Sequence, residues 1–291
     1  MPKTYNELYI QLRKQLKEIG VEACSLEARL LLAYAAGKTP EKLLQDLQLY
    51  TSTEIEAKTA ELTRRRLDGE PVAYLTGSWE FYGLELTVTP DVLIPRADTE
   101  ILVEKVLELT EDRSAALRVL DLCTGSGCIG CALGHALPKS RLTLADLSRE
   151  ALNLAKLNAR NCGLGGRTLC VEADALDEPA PQLGLFDLIV SNPPYIASTE
   201  IETLDSSVRD YEPRMALDGG ADGLQFYRNI LKKWTCLLRP GGWLLLEIGE
   251  TQAADVTALM AAAGLREIGL ARDTAGLDRV VFGRTRRNSE L

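Results

Sequence analysis

Apolar residues near the start of the chain recur at helical spacing. Tyr5, Leu8, Leu12, Leu16 and Ile19 are separated by three or four residues, which places them on one stripe of a helix. The pattern therefore predicts an amphipathic first helix with all five side chains facing a core.

Residues that favour helix starts divide the next part of the chain. Ser25 is predicted to cap a second helix, and Pro40 begins a third at the position where proline is tolerated. Thr53 and Glu56 have the spacing of a capping box for a fourth helix. We therefore expect residues 1–70 to form a small helical domain.

The pattern changes at residue 71. Residues 78–88 alternate apolar and polar side chains around a Tyr-Gly pair, which predicts a short β-hairpin. A helix is predicted at 98–109, after the sequence VLIPRADTE. We interpret residues 71–95 as a hairpin connector between two domains.

Apolar strands and amphipathic helices alternate along the rest of the chain. This alternation predicts an α/β domain over residues 96–291, with a doubly wound, mostly parallel sheet covered by helices on both faces. Ligands of such sheets bind at the carboxyl ends of the strands. The predicted strands lie within 118–122, 141–146, 167–174, 186–195, 243–249, 266–271 and 278–283, and the predicted helices at 128–137, 149–160, 222–238 and 252–263.

Composition narrows the class of protein. The 291 residues suffice for about two domains, and 46% hydrophobic with 26% charged residues excludes a wholly disordered chain. No apolar run approaches the ~18 residues of a membrane helix, and the first 20 residues lack a signal-peptide core. We therefore expect a cytoplasmic monomer that has no membrane partner.

Charge is distributed unevenly between the two predicted domains. Residues 1–70 contain 11 basic and 11 acidic residues, so the net charge of −9 lies wholly in the remainder. A surface of this sign opposes the neutralisation of phosphates, and we expect no direct binding to nucleic acid. Seven cysteines without a secretion signal are expected to be free thiols.

A glycine-rich loop follows the first strand of the predicted sheet. Gly125, Gly127 and Gly130 form G-x-G-x-x-G, and Asp146 ends the next strand. This spacing fits a dinucleotide site and an S-adenosylmethionine (SAM) site equally, since both ligands present an adenosine ribose. Asp121 separates them, because a carboxylate there repels a pyrophosphate and attracts the ammonium and sulfonium of SAM. The residues therefore favour a SAM pocket, with a dinucleotide-dependent oxidoreductase as the alternative.

Further side chains can be assigned to parts of SAM. Thr124 and Ser126 offer hydroxyls and amides to the methionine carboxylate, and Asp146 can accept hydrogen bonds from both ribose hydroxyls. Asp174 follows the third strand, where it accepts a hydrogen bond from the adenine amino group or caps the next helix. These residues complete the predicted cofactor site.

The sequence Asn192-Pro193-Pro194-Tyr195 ends the fourth strand of the predicted sheet. Two successive prolines fix φ and remove two donors, which leaves carbonyl acceptors rigidly held. The Asn192 side-chain oxygen and the Pro193 carbonyl can accept both protons of an NH₂ group and so orient a weakly nucleophilic nitrogen toward the SAM methyl. Tyr195 would supply an aromatic wall with a cation–π contact to the sulfonium. We predict these four residues to be catalytic, and Asn192 also to lie against the cofactor.

Seven segments together resemble the release factor N5-glutamine methyltransferases of the PrmC/HemK family. They are PVAYLTG (71–77), VLIPRADTE (92–100), DLCTGSG (121–127), LADLS (144–148), IVSNPPYI (189–196), YEPRMALDGGADGL (211–224) and RPGGWLLLEIG (239–249). The resemblance implies a class I SAM-dependent methyltransferase whose helical N-terminal domain helps to seat a class 1 peptide chain release factor. It further implies that the glutamine of the factor's Gly-Gly-Gln loop becomes N5-methylglutamine.

Matched by position, the family's residues fall on the same side chains. The resemblance implies that residues 123–127 line the methionine end of SAM, that Asp146 holds the ribose, and that residues 192–195 hold the glutamine amide. The sequence departs from the family pattern at three positions: Cys123 stands where the family usually has Gly, Ala97 where it usually has Pro, and Ala175 where an aromatic side chain sometimes flanks adenine.

Other substrates stay open from the sequence. Methylation of a glutamine in a ribosomal protein is the nearest alternative, and methylation of an exocyclic amine in nucleic acid, where NPPY also occurs, is the next. Cys128 and Cys131 have a C-x-x-C spacing, but the chain has one histidine and no second such pair. We therefore interpret these two cysteines as part of a helix face packed on the sheet.

Overall fold

The computed structural model describes residues 2–287, which fall into two compact units. The first contains the chain up to Ser78 together with residues 205–211, and the second contains residues 79–204 and resumes at Glu212. The predicted domain limits after residues 70 and 95 stay predictions. Within the described residues, no helix combines the length and the apolar character that a membrane span requires.

The first unit is helical. Thr4 caps its first helix in a capping box, with the Glu7 amide donating to Thr4 Oγ1 and the Thr4 amide donating to the Glu7 carboxylate. The predicted stripe is buried except for Ile19, which is 50% exposed because the helix ends one residue earlier. The helices of this unit are α1 (Tyr5–Glu18), α2 (Cys24–Ala36), α3 (Pro40–Gln45), α4 (Thr53–Leu67), α5 (Val72–Thr76) and, after the excursion into the second unit, α9 (Ser206–Arg209).

Two predicted caps are wrong. Helix α2 begins at Cys24, so Ser25 lies inside its first turn and no side chain caps the helix. Helix α4 is capped by Ser52, whose hydroxyl accepts from the Ile55 amide at 3.3 Å. With Ser52 as the cap, the third helical position is Ile55, so Glu56 lies one residue too far along for a capping box, and its carboxylate accepts from the Lys3 amide at 3.0 Å instead.

The second unit is an α/β domain, as predicted. The strands are β1 (Ser78–Phe81) and β2 (Leu84–Thr87) of the hairpin, then β3 (Arg118–Leu122), β4 (Arg141–Asp146), β5 (Thr168–Glu172), β6 (Phe186–Ser191), β7 (Leu238–Glu247), β8 (Arg266–Arg272) and β9 (Asp278–Arg284). Strands β3 to β9 form one seven-stranded sheet in the order β5-β4-β3-β6-β7-β9-β8, in which the first five strands are parallel and β9 runs antiparallel to both of its neighbours. The helices are α6 (Glu100–Leu109), α7 (Cys128–Ala136), α8 (Arg149–Asn161), α10 (Gln225–Asn229), which continues as a π-helical turn to Trp234, and α11 (Ala253–Ala262).

Helices cover both faces of this sheet. Successive residues of β3 belong to different cores: Val119 packs with α6, α7 and α8, whereas Leu120 packs with the segment after α10 and with α11. Cys128 and Cys131 are buried in the first of these cores, which agrees with their interpretation as packing residues. The parallel arrangement brings the carboxyl ends of β3 to β7 to one edge, where the ligand site is expected.

The packing of α7 on the sheet depends on a residue without a side chain. A Cβ at Gly130 would lie 2.3 Å from Leu144 Cδ2 and 3.1 Å from Asp121 Oδ2. Helix and strand can therefore approach this closely only if residue 130 is glycine.

Gly130→Ala is therefore expected to destabilise the protein by about 2 kcal/mol, since overpacking of a rigid core costs ~1–3 kcal/mol. Urea denaturation followed by circular dichroism measures the change. The matched control is Gly166→Ala, where a Cβ meets nothing within 4 Å and the backbone is not left-handed. Equal stability of the two variants would contradict this account of the α7 packing.

Candidate functional site

A cavity of about 480 Å³ opens at the carboxyl ends of β3, β4, β5 and β6. Its wall comes from four other parts of the second unit as well: residues 91–99 before α6, the glycine-rich loop, the start of α8 and residues 213–226. The predicted site residues that line it are Cys123, Thr124, Gly125, Ser126, Asp146, Asp174, Asn192 and Pro194. Asp121, Gly127, Pro193 and Tyr195 lie outside its lining.

The glycine-rich loop turns through three left-handed residues. Cys123, Gly125 and Gly127 have φ of 59°, 53° and 80°. At Gly127 a Cβ would also lie 3.1 Å from Ala155 Cβ on α8, so this position has neither the backbone conformation nor the space for a side chain. The Gly127 amide donates to the Thr124 carbonyl at 2.8 Å, which closes the turn into α7.

Asp121 lies beneath the loop and is only 1% exposed. Its Oδ2 accepts from Thr124 Oγ1 at 2.6 Å and from the Gly130 amide at 2.9 Å, while Oδ1 has no hydrogen-bond partner among the described residues. Burial, with a smaller contribution from the nearby Asp146, raises the pKa of Asp121 to about 7, and the two hydrogen bonds oppose this rise. The structure thus places Asp121 behind Thr124, with one oxygen unsatisfied.

Asp146 ends β4 and faces the cavity directly. Its Oδ2 accepts from the Gly125 amide at 2.8 Å and its Oδ1 from the Ser148 amide at 3.0 Å. Burial raises the pKa of this carboxyl, and these amide hydrogen bonds oppose the rise. A carboxylate has about four acceptor positions, so each Asp146 oxygen can accept one further hydrogen bond.

Asp174 lies at the far end of the cavity, after β5. Its Oδ1 accepts from the Leu176 amide at 2.8 Å, which forms a local turn in place of a helix cap. The neighbouring Ala175 is 3% exposed, and its carbonyl accepts from Trp234 Nε1 at 3.2 Å. Trp234 is itself buried in the core and does not line the cavity.

Asn192 follows β6 and lines the cavity. The preceding Ser191 hydroxyl donates to the Leu122 carbonyl at 2.6 Å, which joins the end of β6 to the end of β3. Asn192 Nδ2 donates to Thr99 Oγ1 at 3.3 Å, and Thr99 is 2% exposed. The amide nitrogen of Asn192 is therefore directed at Thr99.

The segment after the two prolines is held by close backbone approach. A Cβ at Gly219 would lie 2.7 Å from Tyr195 Cα, and one at Gly223 would lie 2.4 Å from the Tyr195 carbonyl oxygen. The Ile196 amide donates to the Leu217 carbonyl at 3.0 Å, and the Gly219 amide donates to the Ile196 carbonyl at 2.8 Å. The segment 211–224 is known from the sequence only through the family resemblance. In the structure its glycines pack against the backbone after the two prolines, and the Gly-Gly-Ala-Asp-Gly sequence is the feature that indicates this close approach.

Tyr195 packs against the core on the α10 and α11 face, and burial raises its pKa to about 12. Gln252 Nε2 donates to the Tyr195 carbonyl at 2.9 Å. The aromatic wall predicted for Tyr195 stays a prediction, since the ring lies outside the cavity lining.

Charged residues near α6 are paired, which is one of the two roles that the sequence leaves open for Arg96 and Asp98. Arg96 and Glu212 form an ion pair, and Glu212 Oε2 also accepts from the Ile94 amide at 3.2 Å. Asp98 pairs with Arg279 at 3.3 Å. These pairs join residues 94–98 to β9 and to the segment that supports Tyr195.

A second buried acid, Glu247, was also missed by the sequence analysis. It ends β7, beside Asn192, since Ser191 and Leu246 are register partners. Glu247 is 1% exposed, and its Oε2 has no hydrogen-bond partner among the described residues. Burial raises its pKa to about 7, whereas hydrogen bonding by the Thr99 and Asn192 side chains lowers it. Its only sequence signal was one acid inside the apolar run of β7.

Comparison with known proteins identifies the family to which this chain belongs. A family model for the PrmC N-terminal domain matches residues 7–77, and one for the methyltransferase small domain matches residues 97–208. The release factor glutamine methyltransferase of Geobacter sulfurreducens is 42% identical over 272 residues, which cover 94% of this chain and 93% of that protein. The chain belongs to the release factor glutamine methyltransferase family. The family member of Moorella thermoacetica is 43% identical over 91% of this chain and 93% of its own length.

Solved structures agree with the fold. The catalytic domain of hMettl16, solved in complex with a MAT2A 3′UTR hairpin, superposes with a TM-score of 0.55 at 18% identity and covers 78% of this chain and 83% of that one. At this identity the likeness shows the methyltransferase fold alone. As in other members of the release factor glutamine methyltransferase family, the methyl donor is SAM.

The residues at the cavity fit this cofactor. Asp146 retains acceptor positions for ribose hydroxyls, and the unsatisfied Oδ1 of Asp121 lies beneath the loop that carries Thr124 and Gly125. Negative charge at the cavity suits a cationic ligand and would repel the pyrophosphate of a dinucleotide. The donor set therefore favours SAM over the dinucleotide alternative.

The buried carboxyl of Asp121 predicts a pH-dependent stability. Because its folded pKa is about 7 and its ordinary value is 3.8, the folded protein retains a proton that the unfolded chain releases. Its contribution to stability is therefore complete at low pH and is lost as the pH rises toward 7.

Between about pH 5 and pH 8, the unfolding free energy of the wild type is expected to fall by ~2 kcal/mol more than that of the Asp121→Asn variant. Urea denaturation at both pH values measures this difference. Glu247, which has a similar shift, is present in both proteins and does not affect the comparison. Parallel pH dependence of the two proteins would show that Asp121 does not titrate in this range.

Proposed function

We propose that this protein transfers a methyl group from SAM to the side-chain amide nitrogen of the glutamine in the Gly-Gly-Gln motif of a class 1 peptide chain release factor. One observation carries the proposal: Asn192, an amide whose nitrogen is directed at Thr99, lines the same cavity as Asp146 and the glycine-rich loop. The names of the relatives point to the same substrate.

The cofactor is assigned to the carboxylates and the loop. We assign Asp146 to the ribose hydroxyls, and Cys123, Thr124, Gly125, Ser126 and Gly127 to the methionine end. Asp121 acts from beneath, through its bond to Thr124. Asp174 is assigned to the adenine amino group, since only one of its carboxylate oxygens bonds to the local turn. When bound, SAM supplies an electrophilic methyl group.

The glutamine amide is assigned to residues 192–195. The nitrogen of an amide is a weak nucleophile because its lone pair is delocalised into the carbonyl. Asn192 Oδ1 and the Pro193 carbonyl would accept its two protons, orient the nitrogen and increase its electron density. Pro194 lines the cavity beside them, and Tyr195 acts from the core side. Transfer of the methyl group would leave S-adenosylhomocysteine and a cationic N-methylated amide, which would release one proton to solvent.

A release factor substrate also gives the two predicted domains their roles. The helical domain over residues 1–70 would recognise the release factor, and residues 71–95 would connect it to the catalytic domain. The release factor and its modification belong to the cytoplasm, where we place this protein as a monomer. If the release factor is not methylated, the alternative substrates are a glutamine of a ribosomal protein and an exocyclic amine of nucleic acid.

Incubation of a purified class 1 release factor with this protein and SAM is expected to add one methyl group, seen by intact-mass measurement. The matched control is the same factor with the glutamine of Gly-Gly-Gln replaced by alanine, which should gain nothing. If the wild-type factor gains no mass while the protein still binds SAM, the proposed substrate is wrong.

Two variants should separate the two halves of the site. Asn192→Ala is expected to lower kcat by at least ~100-fold while changing the affinity for SAM only several-fold, because it removes an acceptor from the glutamine amide. Asp146→Ala should instead weaken SAM binding by ~10-fold or more, since it removes hydrogen bonds to a charged acceptor. Calorimetric titration with SAM and steady-state kinetics measure both effects. Full turnover by Asn192→Ala would refute the role assigned to Asn192.

A further inference from the structure

One polar side chain lies on the apolar face of α8. Asn158 is 0% exposed, and its neighbours on that face, Ala155 and Ala159, belong to the core that α6, α7 and α8 share. A buried carboxamide is costly unless its polar atoms are paired, and an apolar residue would complete this face at lower cost. The hydrogen bonds of Asn158 therefore indicate why the chain has a carboxamide here.

Two of these hydrogen bonds go to the end of the hairpin. Asn158 Oδ1 accepts from the Thr87 amide at 2.8 Å, and Asn158 Nδ2 donates to the Thr87 carbonyl at 2.9 Å. A backbone amide only donates and a carbonyl only accepts, so this pair fixes which end of the carboxamide is the oxygen. Asn158 thus binds the last residue of β2 in the way that a residue of a neighbouring strand would.

The third hydrogen bond goes to the glycine-rich loop. Asn158 Nδ2 also donates to the Ser126 carbonyl at 2.9 Å. The Gly127 amide, at the other end of the same peptide bond, donates to the Thr124 carbonyl. Both ends of the 126–127 peptide are thereby held, and its plane cannot rotate unless one of these hydrogen bonds breaks.

The glycine-rich loop lies close enough to α8 for this contact. A Cβ at Gly127 would lie 3.1 Å from the Cβ of Ala155, which is three residues before Asn158 and therefore on the same helix face. Ser126 lines the cavity, and its buried hydroxyl has no hydrogen-bond partner in residues 2–287. The peptide that Asn158 holds thus belongs to a residue whose polar side chain can bond to a ligand.

We propose that Asn158 is a positioning residue that holds the glycine-rich loop in the conformation which receives SAM, with the end of the hairpin as its support. Thr87 lies outside the cavity lining, so the contact couples the cofactor site to a segment away from the ligand. Such coupling is reciprocal: if SAM favours the held loop, it also makes opening at Thr87 rarer. This inference rests on the proposed function in assigning the loop to SAM, and it does not depend on the methyl acceptor.

Two substitutions remove the contact with the loop. Asn158→Leu keeps the approximate size of the side chain and removes all three hydrogen bonds, whereas Asn158→Asp keeps the acceptor for the Thr87 amide and loses the NH₂ group. Each is expected to raise the Kd for SAM about tenfold, because SAM would then bind a loop conformation that is populated about one-tenth of the time. Calorimetric titration measures Kd. The kcat at saturating SAM should stay within about twofold, because residues 192–195 are unchanged.

Two controls separate positioning from a general loss of stability. Asn153→Asp changes the same residue type on the exposed side of α8 and should leave the Kd for SAM unchanged. Val106→Ala opens space in the shared core, outside the cofactor cavity, and should lower Tm without changing Kd. An equal rise of Kd in Val106→Ala would show that destabilisation alone weakens SAM binding, and would overturn the inference.

Hydrogen exchange of the wild-type protein tests the coupling without any substitution. Saturating SAM is expected to slow exchange of the Thr87 amide about threefold or more, and this slowing should be absent in Asn158→Leu. Unchanged exchange at Thr87 in the wild type, or a Kd within twofold of the wild-type value in both Asn158 variants, would overturn the inference. If neither variant folds, the wild-type exchange experiment decides.

The Asp146→Ala variant distinguishes failure of this inference from failure of the proposed function. If Asp146→Ala binds SAM as tightly as the wild type, the assignment of the cofactor to this site is wrong, and the inference falls with it. If Asp146→Ala loses affinity for SAM while both Asn158 variants retain it, the inference alone is removed.

Discussion

Desolvated carboxyl groups at one edge of a parallel sheet are the constraint on which this structure depends. Asp121 and Glu247 end or nearly end their strands and are almost fully buried, and each has one oxygen without a hydrogen-bond partner in residues 2–287. Burial of such groups costs stability, and the two apolar cores on either face of the sheet offset this cost. A domain selected for stability alone would place apolar side chains at both positions. Both positions therefore carry a polar group that the stability of the fold does not require.

The walls of the site are held together by pairs between segments that are distant in sequence. The ion pair of Arg96 with Glu212 joins the segment before α6 to the segment after α9, and Asp98 with Arg279 joins the same segment to β9. Gly219 allows the 211–224 region to lie directly against the backbone of Tyr195. Loops position catalytic groups well only when a rigid scaffold holds them, and these contacts provide that rigidity.

The sequence was sufficient to predict the structure where a local pattern determines it, and insufficient where tertiary contacts determine it. The limits of β3 and β4 agree with the apolar runs, because a fully buried strand leaves little choice. Ser25 does not cap α2, because the helix begins at Cys24, two residues before the start that a cap at Ser25 implies. The direction of the Asp121 carboxyl depends on the close approach of α7, and the proximity of Glu247 to Asn192 depends on the register of β6 with β7. No spacing along the chain encodes either contact.

Cys123 shows how the electrostatics of the cavity protect its own chemistry. The residue has φ of 59°, a conformation that costs an L-residue ~1–2 kcal/mol and that glycine adopts more readily. Its side chain packs against the core, which offsets part of that cost. A thiolate beside a methyl donor would itself be methylated, because the thiolate is the nucleophilic form. Burial, and next the charges of Asp146 and Asp121, raise the pKa of this thiol far above its ordinary value and keep it protonated. Burial first, and the carboxylates second, therefore favour the protonated form of the neighbouring sulfur.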